Sequence, residues 1–247
     1  MSGIRLDSLL IDRQLCENLE IARKLILAGK VQVDGSVIDK VGVLVPKSAE
    51  IKIERPSQFV GRGGEKLASA VEHFNVPLRD KIALDIGSST GGFTDCLLQG
   101  GVALVFAVDV GKNQLDWSLR SDPRVKVFEG LNARHLESIS EQLMPRPNLV
   151  TMDLSFISAR QILPVVAPVV DAHCEMLLLV KPQFELPRDL VQAGGVVIDA
   201  SAHQRACAEV RQCAEKLGWS VSQPFACPVR GSKKKNQEFF LHLTLDR

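Results

Sequence analysis

The spacing of apolar residues changes character along the chain, and each change marks an element. Leu6, Leu9 and Leu10 fall on one face of a short helix opened by Arg5-Leu6-Asp7-Ser8. A second helix is predicted from Leu19 to Ala28, with Asn18 as its cap and Ile21, Ala22, Leu25 and Ile26 on its apolar face. Gly29 then ends it. Past Gly29 the period drops to two. Val31-Gln-Val33, an Asp34-Gly35 turn of type I′ and Ser36-Val37-Ile38 predict a hairpin, and Ile51-Lys-Ile53 a last short strand. Residues 1–54 are therefore expected to form a small α+β unit, and residues 55–61, with Pro56 and no helical period, a linker.

From residue 62 the pattern is different. A helix is predicted through Leu67, Ala68, Ala70, Val71 and Phe74. Short continuous apolar runs follow: Ile82 to Ile86, Leu104 to Val108, Val125 to Phe128, Asn148 to Met152 and Met176 to Val180. Their length and β-branching are those of strands buried on both faces of a parallel sheet. Helices are predicted from Thr94, over Leu115 to Leu119 and over Ala202 to Leu217, while Trp219-Ser-Val and Glu238 to Leu245 close the sheet. The predicted fold class is α/β, a Rossmann-like sheet over residues 62–247 beside the small N-terminal unit.

Candidate chemistry gathers at the strand ends. The first run breaks into Gly87-Ser88-Ser89-Thr90-Gly91-Gly92-Phe93, the glycine turn with which open α/β sheets build a cofactor crevice. The glycines do not follow G-x-G-x-x-G, so the dinucleotide fingerprint fails. Asp85, two residues ahead of Gly87, resembles motif one of S-adenosylmethionine-dependent methyltransferases, where it helps hold the methionine end of the cofactor. Asp109 ends the second run, and an acid about 20 residues beyond such a turn suits a ribose diol. Val110 adjoins it, and Asn132 follows the third run, where methyltransferases of this architecture usually contact the adenine. Asp153-Leu-Ser155-Phe156-Ile157-Ser158 and Lys181 stand at the carboxyl ends of the fourth and fifth runs and so face the crevice. Arg62 and Lys66, among glycines at a helix start, suit an anion. Gly194-Gly-Val-Val reads as a mobile loop and Arg230 to Asn236 as a basic one.

Composition narrows the class. The 247 residues are 45% hydrophobic and 24% charged, ordinary for a soluble globular protein with one large and one small domain. A net charge of +1 leaves nucleic-acid affinity to local patches. The six cysteines lack ligand spacing, so no metal site and reduced cytoplasmic thiols are expected. No apolar run approaches about 18 residues, and Met1 to Arg5 lack a signal peptide's core, so no membrane association is expected.

Two resemblances add to this. The pattern Arg5-Leu-Asp-x-x-Leu10, helix, Ala28-Gly-Lys-Val-x-Val-Asp-Gly35 resembles the S-four-type RNA-binding domain. That family binds structured RNA through basic residues, here Arg5, Arg13, Arg23, Lys24 and Lys30, with Arg62 beyond them. Where the family carries Ser-Arg at the start of its second helix, this chain has Asn18-Leu19. Second, Arg62-Gly-Gly-Glu-Lys66, Asp85-Ile-Gly-Ser-Ser-Thr-Gly-Gly-Phe-Thr-Asp95, Val108-Asp-Val-Gly111, Asp153-Leu-Ser-Phe-Ile-Ser158 and Leu179-Val-Lys-Pro-Gln-Phe-Glu185 resemble the TlyA family. That family joins an S-four-type domain to an FtsJ-like methyltransferase.

The resemblance implies S-adenosylmethionine as cofactor and ribosomal RNA or a ribosomal subunit as partner. The activity implied is 2′-O-methylation of cytidine ribose. A Lys-Asp-Lys-Glu tetrad falls on Lys66, Asp153, Lys181 and Glu238. Lys181 is the expected proton acceptor, with burial or a neighbouring cation such as Lys66 favouring its neutral amine, and Asp153 and Glu238 orienting the lysines. Ile198 stands where the family tends to carry Arg. The short ends resemble the members linked to the large subunit's RNA only. The rival readings are a hemolysin-like membrane-lytic protein and an RNA-binding protein with an inactive methyltransferase domain.

Overall fold

In a computed structural model of the chain, the structure describes residues 3–53, 58–229 and 236–247. Residue 54, residues 55–57 of the expected linker and residues 230–235 of the basic loop lie outside these. The chain divides into two compact units, residues 1–57 and 58–247.

The first unit contains β1 (Ile4–Arg5), α1 (Leu6–Asp12), α2 (Leu19–Leu27), β2 (Val31–Val33), β3 (Ser36–Ile38), β4 (Leu44–Val45) and β5 (Ile51–Ile53). The Asn18 side chain accepts the Ile21 N–H at 3.0 Å, which caps α2. At the other end Gly29 N–H reaches Ile26 O at 2.9 Å and Lys30 N–H reaches Leu25 O at 2.9 Å, the paired bonds of a Schellman ending. Asp34 and Gly35 have φ of 48° and 82°, as a type I′ hairpin requires. β2 pairs with both β3 and β5, antiparallel, and β1 pairs with β4. Leu6, Leu9, Leu10, Ala22, Ile26 and Val31 form the core. Ile21, expected on the buried face, is exposed and lines an open groove with Ile11, Leu15, Leu25 and Ile53.

The second unit is built on one sheet. In chain order it has α3 (Arg62–Phe74), β6 (Ile82–Ile86), α4 (Gly92–Gln99), β7 (Leu104–Asp109), α5 (Trp117–Arg120), β8 (Val125–Glu129), β9 (Leu149–Met152), α6 (Leu163–Val166), β10 (His173–Val180), α7 (Pro182–Glu185), α8 (Ala200–Lys216), β11 (Ser220–Val221), β12 (Phe225–Ala226) and β13 (Phe239–Asp246). The strand order is β11-β13-β10-β9-β6-β7-β8, with β12 also on β13. The five strands from β10 to β8 run parallel, and β13 is antiparallel to β10. Chain order reverses between β6 and β9, so a crevice opens at their carboxyl ends. Alternate residues feed opposite faces. Leu84, Phe106 and Leu178 join a core with Ala206 and Val210 of α8, whereas Ala83, Val105 and Leu177 join Leu67 of α3 and Leu97 of α4.

Residues 58–61 belong to this unit rather than to a linker. Phe59 is buried in the core beside α3 and α4, and Val60 N–H reaches Asp95 Oδ2 at 2.8 Å. β10 begins three residues earlier than its apolar run, because His173, Cys174 and Glu175 pair with Asp246, Leu245 and Thr244 of β13.

Candidate functional site

The turn after β6 is anchored from below. Gly87 N–H and Ser88 N–H both donate to Val108 O of β7, at 2.8 and 3.1 Å. Gly87 has φ +87°, and a Cβ there would stand 2.4 Å from Asp153 O. Glycine is therefore required by the close passage of the β9 end, not only by the approach of a ligand. Gly91, at φ +99°, is required by packing: a Cβ would meet Leu119 Cδ1 at 2.2 Å. Gly91 lies behind the crevice rather than in its wall. Gly92 packs against Gly63 and Gly64, where α4 meets the start of α3.

Asp85 is not on the crevice wall, contrary to the expectation that it contacts a cofactor. It is 0% exposed, with Thr94 Oγ1 donating to Oδ2 at 2.7 Å and Thr151 Oγ1 to Oδ1 at 2.9 Å. Burial pushes its carboxyl up to about 6, against the lowering effect of the two hydroxyls. As an interior strand residue it ties β6 to α4 and β9 beneath the turn.

The crevice, of about 610 Å³, is lined by Gly87, Ser89, Asp109, Val110, Asn132 and Asp153 among others. An adjoining recess is lined by Ser88, Gly92 and Phe93, and shares Gly87, Ser89 and Asp153 with it. Asp109 ends β7 and accepts Ser89 N–H at 2.8 Å on Oδ2 and Gly111 N–H at 2.6 Å on Oδ1. Asn132 caps the 3₁₀ segment Ala133–Gln142, accepting Arg134 N–H at 3.0 Å. Leu131, Ile157 and Ile162 add apolar side chains to its lining. A carboxylate, backbone turns and apolar walls at this size fit a nucleoside-bearing ligand.

One residue that supports this wall from behind carries no mark in the sequence reading. Glu129, at the end of β8, accepts the N–H groups of Asn113 and Gln114 at 2.9 and 3.1 Å and pairs with Arg120 at 2.6 Å. The backbone donors and Arg120 hold its carboxyl down to about 2. It thereby fixes the loop after Asp109, from which Gln114 reaches the crevice. An acid closing an apolar run was the signal available.

The four tetrad residues are largely buried and form two ion pairs. Lys66 Nζ of α3 stands 2.6 Å from Oε2 of Glu238, just ahead of β13. Lys181 Nζ, straight after β10, stands 2.6 Å from Asp153 Oδ1, straight after β9. That approach is ionic, off the angles of a hydrogen bond, and Lys181 hydrogen-bonds instead to Ser155 Oγ at 3.0 Å. The parallel β9–β10 pairing, with Met152 opposite Leu178, runs both carboxyl ends the same way and leaves Lys181 two residues beyond the level of Asp153, a step that its long side chain spans. Each lysine thus has one of the two acids as its partner, Glu238 for Lys66 and Asp153 for Lys181.

In the first unit, Arg5 and Arg23 converge on Asp7, which is 0% exposed. Hydrogen bonds from Arg5, joined by Arg23 and Ser8 N–H, hold the Asp7 carboxyl down to about 2 against the cost of burial. Arg13, expected to contact phosphate, is instead committed to the fold. Its guanidinium donates to Ala49 O at 2.8 Å and to Lys47 O, stapling the turn before β5. Lys24 pairs with Glu20 at 2.8 Å on an exposed helix face. Lys30 follows α2, and Arg62 is the exposed first residue of α3 in the second unit.

Among the described residues no helix is long and apolar enough to cross a membrane, and no three His, Cys, Asp or Glu side chains converge to hold a metal.

Residues 59–245 match the FtsJ-like methyltransferase family, and residues 4–51 match the S4 domain. The chain is 41% identical over 241 residues to the 16S/23S rRNA (cytidine-2'-O)-methyltransferase TlyA of Mycobacterium tuberculosis, across 97% of this chain and 89% of that protein. It is 34% identical to the 23S rRNA (cytidine-2'-O)-methyltransferase TlyA of Campylobacter jejuni, across 74% of this chain and 70% of that one. A solved structure from Streptococcus thermophilus, provisionally named a hemolysin, superposes with a TM-score of 0.76 and 38% identity, covering 100% of this chain and 90% of that one. On these matches, which span nearly its whole length, the chain belongs to the TlyA family of FtsJ-like methyltransferases.

Proposed function

We propose that this protein methylates the 2′-hydroxyl of a cytidine in ribosomal RNA, using S-adenosylmethionine, and that the large subunit's RNA is its substrate. Its place of work is the cytoplasm, where ribosomal RNA is assembled. Residues 1–54 supply RNA affinity and residues 62–247 the chemistry. The names of the two TlyA relatives support the reaction class, since both specify cytidine-2'-O methylation and both include 23S rRNA. The observation that carries the reading is the Lys181–Asp153 ion pair at the edge of the crevice that begins with Asp109.

When bound, S-adenosylmethionine supplies a methyl group on a positively charged sulfur. The chain's own residues then have three tasks. Asp109 orients the cofactor through its ribose hydroxyls, while Asn132, Val110 and Leu131 hold the adenine. Ser88, Ser89, Gly92 and Phe93 shape the recess for its other end, with Asp85 and Gly91 acting beneath as positioning residues. A ribose hydroxyl is a poor nucleophile and must lose its proton as it attacks. Lys181, positioned by Asp153 and Ser155, takes that proton as the neutral amine, once it has released to solvent the proton that its ion pair with Asp153 holds, and Lys66 with Glu238 completes the polar wall. In-line placement of the two reactants contributes as much as the base does.

The test is to incubate the purified protein with S-adenosylmethionine and 23S rRNA or 50S subunits and to map 2′-O-methyl groups. One modified cytidine is expected. No ribose methylation on either substrate would overturn the proposal.

A further inference from the structure

Asp7 is a carboxylate with no solvent access in a unit read as RNA-binding. It is held by Arg5 Nε at 3.0 Å and Nη2 at 2.7 Å, by Arg23 Nε at 3.2 Å and by Ser8 N–H at 3.0 Å. Arg5 precedes α1 and Arg23 lies on α2, yet both reach the same oxygen, Oδ2. Two guanidinium groups this close repel one another, and the shared carboxylate is what holds them together. Each remains about half exposed, at 50% and 51%, so part of each donor fork is left for solvent or ligand. With one negative and two positive charges, the cluster keeps a net charge of +1. Such a pair suits a phosphodiester, whose unesterified oxygens take charge-assisted bonds from planar guanidinium forks.

We propose that Asp7 is a positioning residue for RNA binding, fixing Arg5 and Arg23 as a paired clamp for one backbone phosphate. This rests on the RNA-binding role given above to the first unit. A fold-only role for Asp7 makes a different forecast. Removing the acid raises the positive charge of the unit by one, which on charge alone tightens RNA binding. If Asp7 sets the geometry of the clamp, its removal weakens binding instead.

The experiment uses the full chain with in-vitro transcribed 23S rRNA, measuring affinity across a salt series. Asp7→Asn is expected to bind roughly tenfold more weakly than wild type, with the slope of log affinity against log salt flattened by about one phosphate contact. S-adenosylmethionine affinity, read by calorimetry, is expected to stay unchanged. Equal or tighter RNA binding by a folded Asp7→Asn overturns the proposal. If that variant fails to fold, Arg5→Lys with Arg23→Lys keeps both charges and the acid but removes the forks. The same loss is then expected, and unchanged affinity overturns the proposal. Wild type failing to bind the RNA overturns the RNA-binding reading as well, whereas wild-type binding with an indifferent Asp7→Asn overturns the clamp alone.

Discussion

The Ser158 hydroxyl donates to the Glu185 carboxylate, and this buried bond fastens the segment after β9 to the segment after β10. Asp153 lies at the start of the first segment and Lys181 at the start of the second. Ala159 N–H adds a bond to the same carboxylate at 2.8 Å, and Arg160 reaches from there to Glu185 O at 2.6 Å and to Glu209 of α8 at 2.8 Å. Burial lifts the Glu185 carboxyl above its ordinary value, while these donors pull the other way. Ser158→Ala removes one donor from a buried acid. A hydrogen bond to a charged group is worth about 1.5–3 kcal/mol, so denaturant unfolding should show a loss in that range. A loss below about 0.5 kcal/mol would show that the bond does not fasten the two segments.

Gly87 and Gly194 make a controlled pair. Both have positive φ, +87° and +88°, but a Cβ on Gly194 meets nothing within 4 Å, whereas on Gly87 it stands 2.4 Å from Asp153 O. Alanine at either carries a left-handed backbone cost of roughly 1–2 kcal/mol. Only Gly87→Ala should also displace Asp153, so methyl transfer should collapse there and survive in Gly194→Ala. Equal activity in the two variants would mean that the turn can give way without moving the acid.

Asp85 gives the second unit a pH dependence with a definite sign. Its folded carboxyl titrates near 6 rather than 3.8, so the folded state holds the proton more tightly than the unfolded state. Its contribution to stability is therefore full below about pH 4 and is lost as pH rises through 6. Two pK units correspond to roughly 3 kcal/mol. Asp85→Asn keeps partners for Thr94 and Thr151 but does not titrate. From pH 4.5 to pH 7.5 the stability gap, measured by urea unfolding, should move in the variant's favour by about 2 kcal/mol, since the unfolded carboxyl is already largely ionised at the lower pH. A constant gap would place the titration of Asp85 at its ordinary value.

The strands and the turn were legible because parallel strands are continuous apolar runs and the glycines interrupt them in order. What those residues touch was less legible. Asp85 was read as a cofactor contact because it precedes the glycine turn, but sequence position does not say which way an interior strand residue points. Arg13 reads in the sequence as an RNA contact, since the carbonyls it staples lie 34 and 36 residues away. Asp7 stood in plain view inside the Arg-Leu-Asp motif, yet its burial depends on how α1 packs on α2. The same holds for Ser158 and Glu185, 27 residues apart, whose meeting is set by the β9–β10 pairing. Strands β1 and β4 have two residues each, too few to show a period.

The catalytic assignment turns on Lys181. Its amine is held between Asp153 Oδ1 at 2.6 Å and Ser155 Oγ at 3.0 Å, two residues that line the crevice. Lys181→Ala should therefore leave binding of S-adenosylmethionine and of RNA near normal while methyl transfer is lost. A positioned general base contributes about 10²–10⁴-fold, so the single-turnover rate should fall by at least that much. A fall of less than about tenfold, roughly 1.4 kcal/mol, would reduce Lys181 to a substrate contact. The substitution also strips Asp153 of its counter-ion, and an unpaired carboxylate could disturb the crevice by itself. Lys181→Ala combined with Asp153→Asn removes that complication, because the site is neutral again. If the lysine is the proton acceptor, the double variant stays as slow as the single one. The rising limb of the pH–rate profile should also vanish in both. Survival of that limb in Lys181→Ala, with its disappearance only in the double variant, would assign the proton to Asp153.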